Sequence, residues 1–421
     1  MERVGVEGEP APAPFARARL DNGARVLVRE NRAMPLVAVD CWLSVGTLGE
    51  PAGIVGVSHF LEHMFFKGTE RFPTGEMDRI VKGLGGYNNA ATSMEYTHYY
   101  IVAPSEHFET VLELLADHLE RPALPADELV RERQVVKEEI RRKEDAPRGR
   151  LYTRLSRAAF GDTPYAREVL GTPDSLDRID RDAMRDYWRD GYVGERLVVA
   201  IAGDVDPAAA ADAVAGRLGG LREGDPPPPP PDPPEVEPAE VEEGMHVGQG
   251  YLGWAFPAPG RDNLASSCAL EMGAAILGDG PTSRLHRRLV DERRLVPSVS
   301  AWTFSLSRIG LLGIYAVCPP DRRSEVEMEI AAVLDEVDAD GVAGDEMERA
   351  RATLKADFAY DNETNAALAG TLGEFEALHG DGGRFREVLR TIDSLDAGAV
   401  SDALSGRVEP ERAVRAWVGP E

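Results

Sequence analysis

Ser58-His59-Phe60-Leu61-Glu62-His63-Met64 sets two imidazoles and a carboxylate within one helical turn of surface, in the order H-x-x-E-H. A helix over residues 55–66 would bring His59 and His63 to positions i and i+4. Their Cβ atoms then stand roughly 5–6 Å apart on one face, close enough to share a small cation. Glu62 flanks that face without being forced onto the metal, the place of a general base for an attacking water. A zinc ion held by two His needs a third protein ligand and keeps its fourth position open, so the motif asks for one more carboxylate, His or Cys elsewhere in the chain. Three fixed positions in five also arise by chance, and the rest of the chain has to decide.

The chain has 421 residues, enough for two or three domains with sizeable cores. A hydrophobic share of 43% with 7% aromatics describes an ordinary globular protein. The net charge of −26, from 73 acidic against 47 basic residues, argues against a nucleic-acid partner, since phosphate neutralisation needs the opposite sign. Cys41, Cys268 and Cys318 are too scattered for a disulfide framework or a metal cluster and read as free buried thiols. No run approaches the ~18 apolar residues of a membrane span, and residues 1–5 lack the apolar core of a signal peptide. The expectation is a soluble chain, cytoplasmic as written, periplasmic or secreted if a leader has been removed.

Residues 1–14 are Pro/Ala/Glu-rich and read as a loose lead-in. Strands are expected at Ala24–Glu30 and Leu36–Gly46, then the His59 helix, a second helix over 74–84 ending at Gly85-Gly86, and a strand running through 87–102. Apolar residues at 108, 111, 112, 114, 115 and 119 make 105–120 an amphipathic helix. The charged helix 127–143 follows. Its Glu132 and Glu139 are seven apart, two turns along one face, with Glu138 about 100° off it. Here is the carboxylate that the opening motif requires, in combination with His59 and His63. Helices are expected again over 147–160 and 180–190, and a buried strand over 197–205. Pro226 to Pro231 is an unbroken proline run leading into an acidic tail, a composition that favours a stiff extended spacer. The second half repeats the first: strand 249–256, helices 264–277 and 283–289, strands 299–304 and 311–318, and long helices 322–337 and 344–378. The expected fold class is α+β, two homologous domains, each a mainly antiparallel sheet covered by helices. Their expected bounds are 1–221 and 245–421, joined by a linker over 222–244. The duplicate carries no H-x-x-E-H.

With these pieces together, the chain resembles the pitrilysin/insulinase family of zinc metallopeptidases, the inverzincins, and most of all the branch of processing-peptidase β subunits and short bacterial homologues. The resemblance spans nearly the whole chain. It rests on His59 to Thr69, on Gly85-Gly86 with Asn89-Ala90 and Thr92-Ser93-x-Glu95-x-Thr97, on Glu132 to Glu139, and on Val199-Ala200-x-x-Gly203-Asp204-Val205. It implies one zinc per chain held by His59, His63 and Glu139, with Glu62 as the base that deprotonates the attacking water. Glu132 would orient a ligand or the water. It also implies a strand edge at Asn89, Ala90 and Thr92 that pairs with extended substrate backbone. The implied activity is endopeptidase hydrolysis of extended or unfolded peptides.

One departure stands out. After a Ser-Arg-Leu helix the family carries an Arg and a Tyr seven residues apart that reach toward substrate. Aligned on Ser283-Arg284-Leu285, those positions hold Val290 and Pro297, neither of which has a side-chain donor. Either Arg293 or Arg294 substitutes, or the enzyme is weak, or the chain works with a homologous partner subunit that supplies the pair, as a heterodimer; a homodimer is the other expected association. The alternative from the same family is a non-catalytic assembly or core subunit, for which a broken zinc motif would be expected. A closed structural zinc site would be richer in Cys.

Overall fold

The computed structural model describes residues 2–3 and 15–421; the expected lead-in over 1–14 lies, Glu2 and Arg3 excepted, outside the described residues. Seven strands form the first sheet: β1 (Glu2–Arg3), β2 (Ala16–Arg19), β3 (Arg25–Glu30), β4 (Leu36–Leu43), β5 (Tyr87–Thr92), β6 (Thr97–Pro104) and β7 (Leu197–Gly203). Their spatial order is β1-β2-β3-β7-β4-β6-β5. A second sheet contains β8 (Ala239–Met245), β9 (Gly250–Pro259), β10 (Ser298–Ser305), β11 (Ile309–Cys318) and β12 (Val414–Pro420), ordered β10-β11-β9-β12-β8. Strand for strand this repeats β5-β6-β4-β7-β3. Both sheets are antiparallel except for one pair, β3 with β7 and β8 with β12. The mixed α and β, twofold-repeated architecture read from the sequence is therefore the one present.

The first sheet is covered on one face by α1 (Val57–Phe65), α2 (Glu76–Gly83) and α3 (Phe108–Glu120), whose Phe60, Leu61, Met77, Val81, Val111, Leu112 and Leu115 join Val39, Cys41, Tyr99 and Ile101 in one core. α4 (Ala126–Asp145) closes over it with Leu129, Val136 and Ile140. A second core gathers Leu252, Trp254, Phe256 and Ile314 of the second sheet with Leu270, Leu277, Ile330 and Leu334.

The two compact units interleave along the chain. One comprises Met1–Ile140, Glu168–Pro230 and Ala359–Phe385; the other comprises Arg141–Arg167, Pro231–Phe358 and Arg386–Glu421. Each unit takes one helix from the opposite half of the sequence. Helix Asn365–His379 packs on β4 and β7 of the first sheet, where Gly373 lies so close to Trp42 that a Cβ would fall 2.3 Å from its ring. Its buried Glu376 accepts hydrogen bonds from Arg17 at 2.5 Å, Arg25 at 3.3 Å and the Gly382 amide at 2.9 Å. Reciprocally, α5 (Pro147–Phe160) packs on β8, β9 and β12, with Leu151 fully buried and Arg150 and Arg154 both bonded to Glu243 of β8.

Several boundaries differ from expectation. Residues 87–102 are two strands, not one, joined by a turn in which the Ser93 amide donates to the Tyr96 carbonyl at 2.7 Å. The helix expected over 344–378 is two, Gly344–Tyr360 and Asn365–His379; Thr364 caps the second by accepting from the Ala367 amide. Residues 283–289 form a short α-helical turn, Arg284–His286, that widens into a π-helix over Arg287–Glu292. The acidic tail that was expected to be linker up to 244 ends as strand β8. Its glutamates are neutralised by Arg323, which reaches Glu240 at 3.0 Å and Glu242 at 2.5 Å. No helix among the described residues is long and apolar enough to cross a membrane.

Candidate metal centre

α1 is short, and its start is strongly specified. Gly56 sits before it at φ +94°, and a Cβ there would lie 2.8 Å from Gly171. The buried carboxylate of Glu50 accepts hydrogen bonds from the Gly56 and Ser58 amides, both at 2.7 Å, so the helix's positive end is met by a full negative charge. One face carries Phe60, Leu61, Met64 and Phe65 into the core, which fixes the rotation of the helix and turns His59, Glu62 and His63 the other way. α4 is anchored in the same manner. Arg133 donates to the carbonyls of Leu176 at 3.1 Å and Ile179 at 2.7 Å, and its guanidinium lies 6.0 Å from the centre of the Phe60 ring. With Leu129, Val136 and Ile140 inward, Glu132 and Glu139 both face α1.

The three expected ligands converge. Nε2 of His59 lies 3.7 Å and Nε2 of His63 lies 3.6 Å from Oε2 of Glu139, and the three donor atoms sit within 4.8 Å of one another. Ligands about 2.0–2.1 Å from a tetrahedral zinc are about 3.3 Å apart, so the set fits that ion with little movement. The two imidazole centroids are 4.7 Å apart, as neighbours at i and i+4 should be. His63 presents Nε2 because Nδ1 is held by Oε2 of Glu132 at 3.1 Å, a carboxylate–imidazole pair of the kind that fixes a metal ligand's tautomer. His59 has a buried Nδ1 without a hydrogen-bond partner, so no hydrogen bond at that nitrogen selects its tautomer.

The electrostatics follow from burial. His59 is driven down to about 3, first by burial and then by the charge of His63, which keeps its imidazole neutral and available as a ligand. Burial pushes the Glu62 carboxyl up, against the opposing hydrogen bond from Thr92. For Glu132 burial alone would raise the pKa, but hydrogen bonds from Lys67 and His63 outweigh it and hold the group below the ordinary value.

Each site residue read from the sequence has a definite place. His59, His63, Glu139 and Glu132 form the cluster above. Glu62 stands beside them and accepts the Thr92 hydroxyl at 2.5 Å, so Thr92, expected on the substrate side, is bonded to the candidate base. Asn89 and Ala90 lie on β5, the outermost strand of the sheet, with Asn89 exposed and Ala90 half-buried. In the second unit, Val290 packs on the core and Pro297 is exposed. Arg293 is bonded to Glu329 at 3.1 Å, and Arg294 adopts a left-handed φ of +52°. Two contributors were given no role from sequence, Glu50 at the start of α1 and Lys67 just past its end. The signal for Glu50 was weak, an acidic residue in a loop six positions ahead of the helix's N-terminal glycine. For Lys67 it was its place four residues after His63.

Known proteins resemble this chain along nearly its whole length. Residues 25–173 match the family model described as insulinase (peptidase family M16), and residues 178–354 match the one described as the peptidase M16 inactive domain. An uncharacterized zinc protease of Mycobacterium leprae is 30% identical over 414 residues, covering 97% of this chain and 92% of its own. The chain belongs to the M16 insulinase family of peptidases. Among solved structures, a protease from Helicobacter pylori shares this M16 architecture with a TM-score of 0.88 at 25% identity, covering 96% of this chain and 99% of its own. A Pseudomonas fluorescens structure described as a peptidase M16 inactive domain superposes with a TM-score of 0.90 at 20% identity over 97% of this chain and 98% of its own, a likeness of fold.

Proposed function

We propose that this M16 chain is a zinc-dependent endopeptidase acting on extended or unfolded peptides, with one zinc per chain. The observation that carries the reading is the convergence of His59, His63 and Glu139 on one point, with a second carboxylate, Glu62, beside them and off the ligand set. Zinc bound there supplies a Lewis acid for the scissile carbonyl and lowers the pKa of a water toward ~7. Glu62 takes the proton of that water and returns it to the leaving amine. Burial raises its pKa, which makes it a better proton acceptor than an ordinary glutamate. Thr92 orients the carboxylate through its Oε2, and Glu132 holds the His63 ring. β5 is the outermost strand, and by its register with β6 the backbone groups of Ala90 and Thr92 face the outer edge, where a substrate strand would add beside Asn89.

The substrate clamp is completed, in this reading, by a homologous partner subunit. Val290 and Pro297 offer no side-chain donor, and the Arg293 guanidinium is engaged with Glu329. The test is hydrolysis of an unstructured fluorogenic peptide by the purified chain, alone and mixed with a sister chain that carries the Arg/Tyr pair. Chelator-sensitive turnover that rises at least tenfold with the partner is expected. Full turnover by the lone chain removes the partner, and turnover that a chelator leaves untouched removes the zinc mechanism.

A further inference from the structure

Beyond the ligands, the base and Glu132, the side chain of Lys67 also reaches this centre. Lys67 lies just past the end of α1, where its amide donates to the Met64 carbonyl at 3.1 Å. The chain there is pinned by Thr69, whose hydroxyl donates to Asp117 at 2.5 Å and whose amide donates to the Phe72 carbonyl at 2.8 Å. From this fixed base the Lys67 ammonium reaches Oε1 of Glu132 at 2.6 Å, with Oε2 of Glu128 further off at 3.8 Å.

The two oxygens of Glu132 are thereby divided, Oε1 to the Lys67 ammonium and Oε2 to Nδ1 of His63. The arrangement is sheltered: the side chain of Lys67 is 22% exposed and that of Glu132 is 12% exposed. A glutamate at the surface of a helix has rotamers that swing it into water, where it is better solvated. What opposes that here is the ammonium, a point charge on a stem anchored at α1, while Glu132 itself projects from α4. The ion pair therefore ties together the two helices that carry the ligands.

We propose that Lys67 is a positioning residue for the metal centre. By holding Oε1 it keeps Oε2 on His63 Nδ1–H, which in turn aims the Nε2 lone pair of His63 at the cation. This rests on the reading of His59, His63 and Glu139 as zinc ligands, and it adds a residue outside the ligands and their direct partners. Lys67 acts through Glu132, whose Oε1 its ammonium reaches, and not as a ligand or base.

The test is a double-mutant cycle on the full chain, read as zinc affinity by competition with a chromophoric chelator at pH 7. Groups that orient a ligand are worth about 10–100-fold in affinity, so Lys67→Met should weaken zinc binding by about 10-fold. Lys67→Arg, which restores the charge, should recover most of that loss. Glu132→Gln should weaken binding comparably, and adding Lys67→Met to it should change little, because the lysine then has no carboxylate to hold. The melting temperature of the metal-free Lys67→Met protein should stay within about 3 °C of wild type, which a merely structural ion pair would not guarantee. If the Met variant does not fold, Lys67→Gln takes its place in the same cycle and the same melting measurement. Zinc binding by Lys67→Met equal to wild type, or an undiminished effect of the lysine in the Glu132→Gln background, overturns the inference alone. Failure of the wild-type chain to bind zinc overturns the metal reading with it.

Discussion

Replacing Glu50 should damage α1 before it touches the zinc chemistry. The Glu50 carboxylate is 4% exposed and accepts the Gly56 and Ser58 amides, both at 2.7 Å. Those amides belong to the first turn of a nine-residue helix that has no side-chain cap of its own. Glu50→Ala leaves two amides without their charged acceptor. Hydrogen bonds to charged groups are worth about 1.5–3 kcal/mol each, and with partial recovery by entering water the net loss comes to about 2–4 kcal/mol. For a unit of this size, one kcal/mol moves the melting temperature by roughly 2–4 °C, so a drop of about 4–16 °C is expected in the transition of the metal-free protein. Glu50→Gln keeps one acceptor oxygen but turns the other into an NH2 group facing an amide, so it gives up the charge and one of the two hydrogen bonds, costing about 1.5–3 kcal/mol. Differential scanning calorimetry of the wild type and both variants decides it. An alanine variant melting within about 1 °C of wild type would refute the claim that this carboxylate organises the helix.

Two further outcomes are expected. His59 has a folded pKa of about 3 against an ordinary 6.5, so in metal-free protein the unfolded state takes up its proton first as the pH falls. Stability is fully present above pH 6.5 and declines toward pH 3; at pH 5 the loss relative to pH 7 is about 2 kcal/mol more for wild type than for His59→Gln in urea titrations. Gly373→Val should destabilise by about 1–3 kcal/mol, because a Cβ at that position falls 2.3 Å from Cδ1 of Trp42, whereas Gly83→Ala, where a Cβ meets nothing, should be neutral or slightly stabilising by thermal melting.

Much of the centre was legible because it obeys helical arithmetic. His59 and His63 at i and i+4 and Glu132 and Glu139 at i and i+7 must share faces once their helices form, and the apolar residues between them say which face goes inward. The twofold repeat was legible from the recurrence of strand and helix patterns, and the strand order bears it out. The exchange of helices was not. The apolar stripe of Asn365–His379 tells that one face is buried, but not which sheet buries it; that depends on Gly373 meeting Trp42 and on Glu376 meeting Arg17 and Arg25, residues more than 300 positions away. The β5–β6 hairpin was missed because its turn, Ser93-Met94-Glu95-Tyr96, contains neither glycine nor proline. The split at residues 361–364 was legible in principle, since Asp361-Asn362 followed by Thr364 is a stop and a new cap. Strand β8 hid inside an acidic tract because its partner charge, Arg323, lies some 80 residues further along the chain. Lys67 and Glu50 carry no role in the sequence for the same reason: what they do is set by partners that only folding supplies.

The central claim separates a metal-holding set, His59, His63 and Glu139, from a base, Glu62, that holds no metal. Glu62→Gln keeps the size and a hydrogen-bond acceptor for Thr92 but cannot take a proton. Zinc content by mass spectrometry, measured beside hydrolysis of an unstructured peptide, tests the separation directly. The account predicts one zinc per chain in the Glu62→Gln protein, as in wild type, with turnover reduced at least 10²-fold, the scale of a lost general base. Zinc lost together with activity, or activity retained without Glu62, would contradict it.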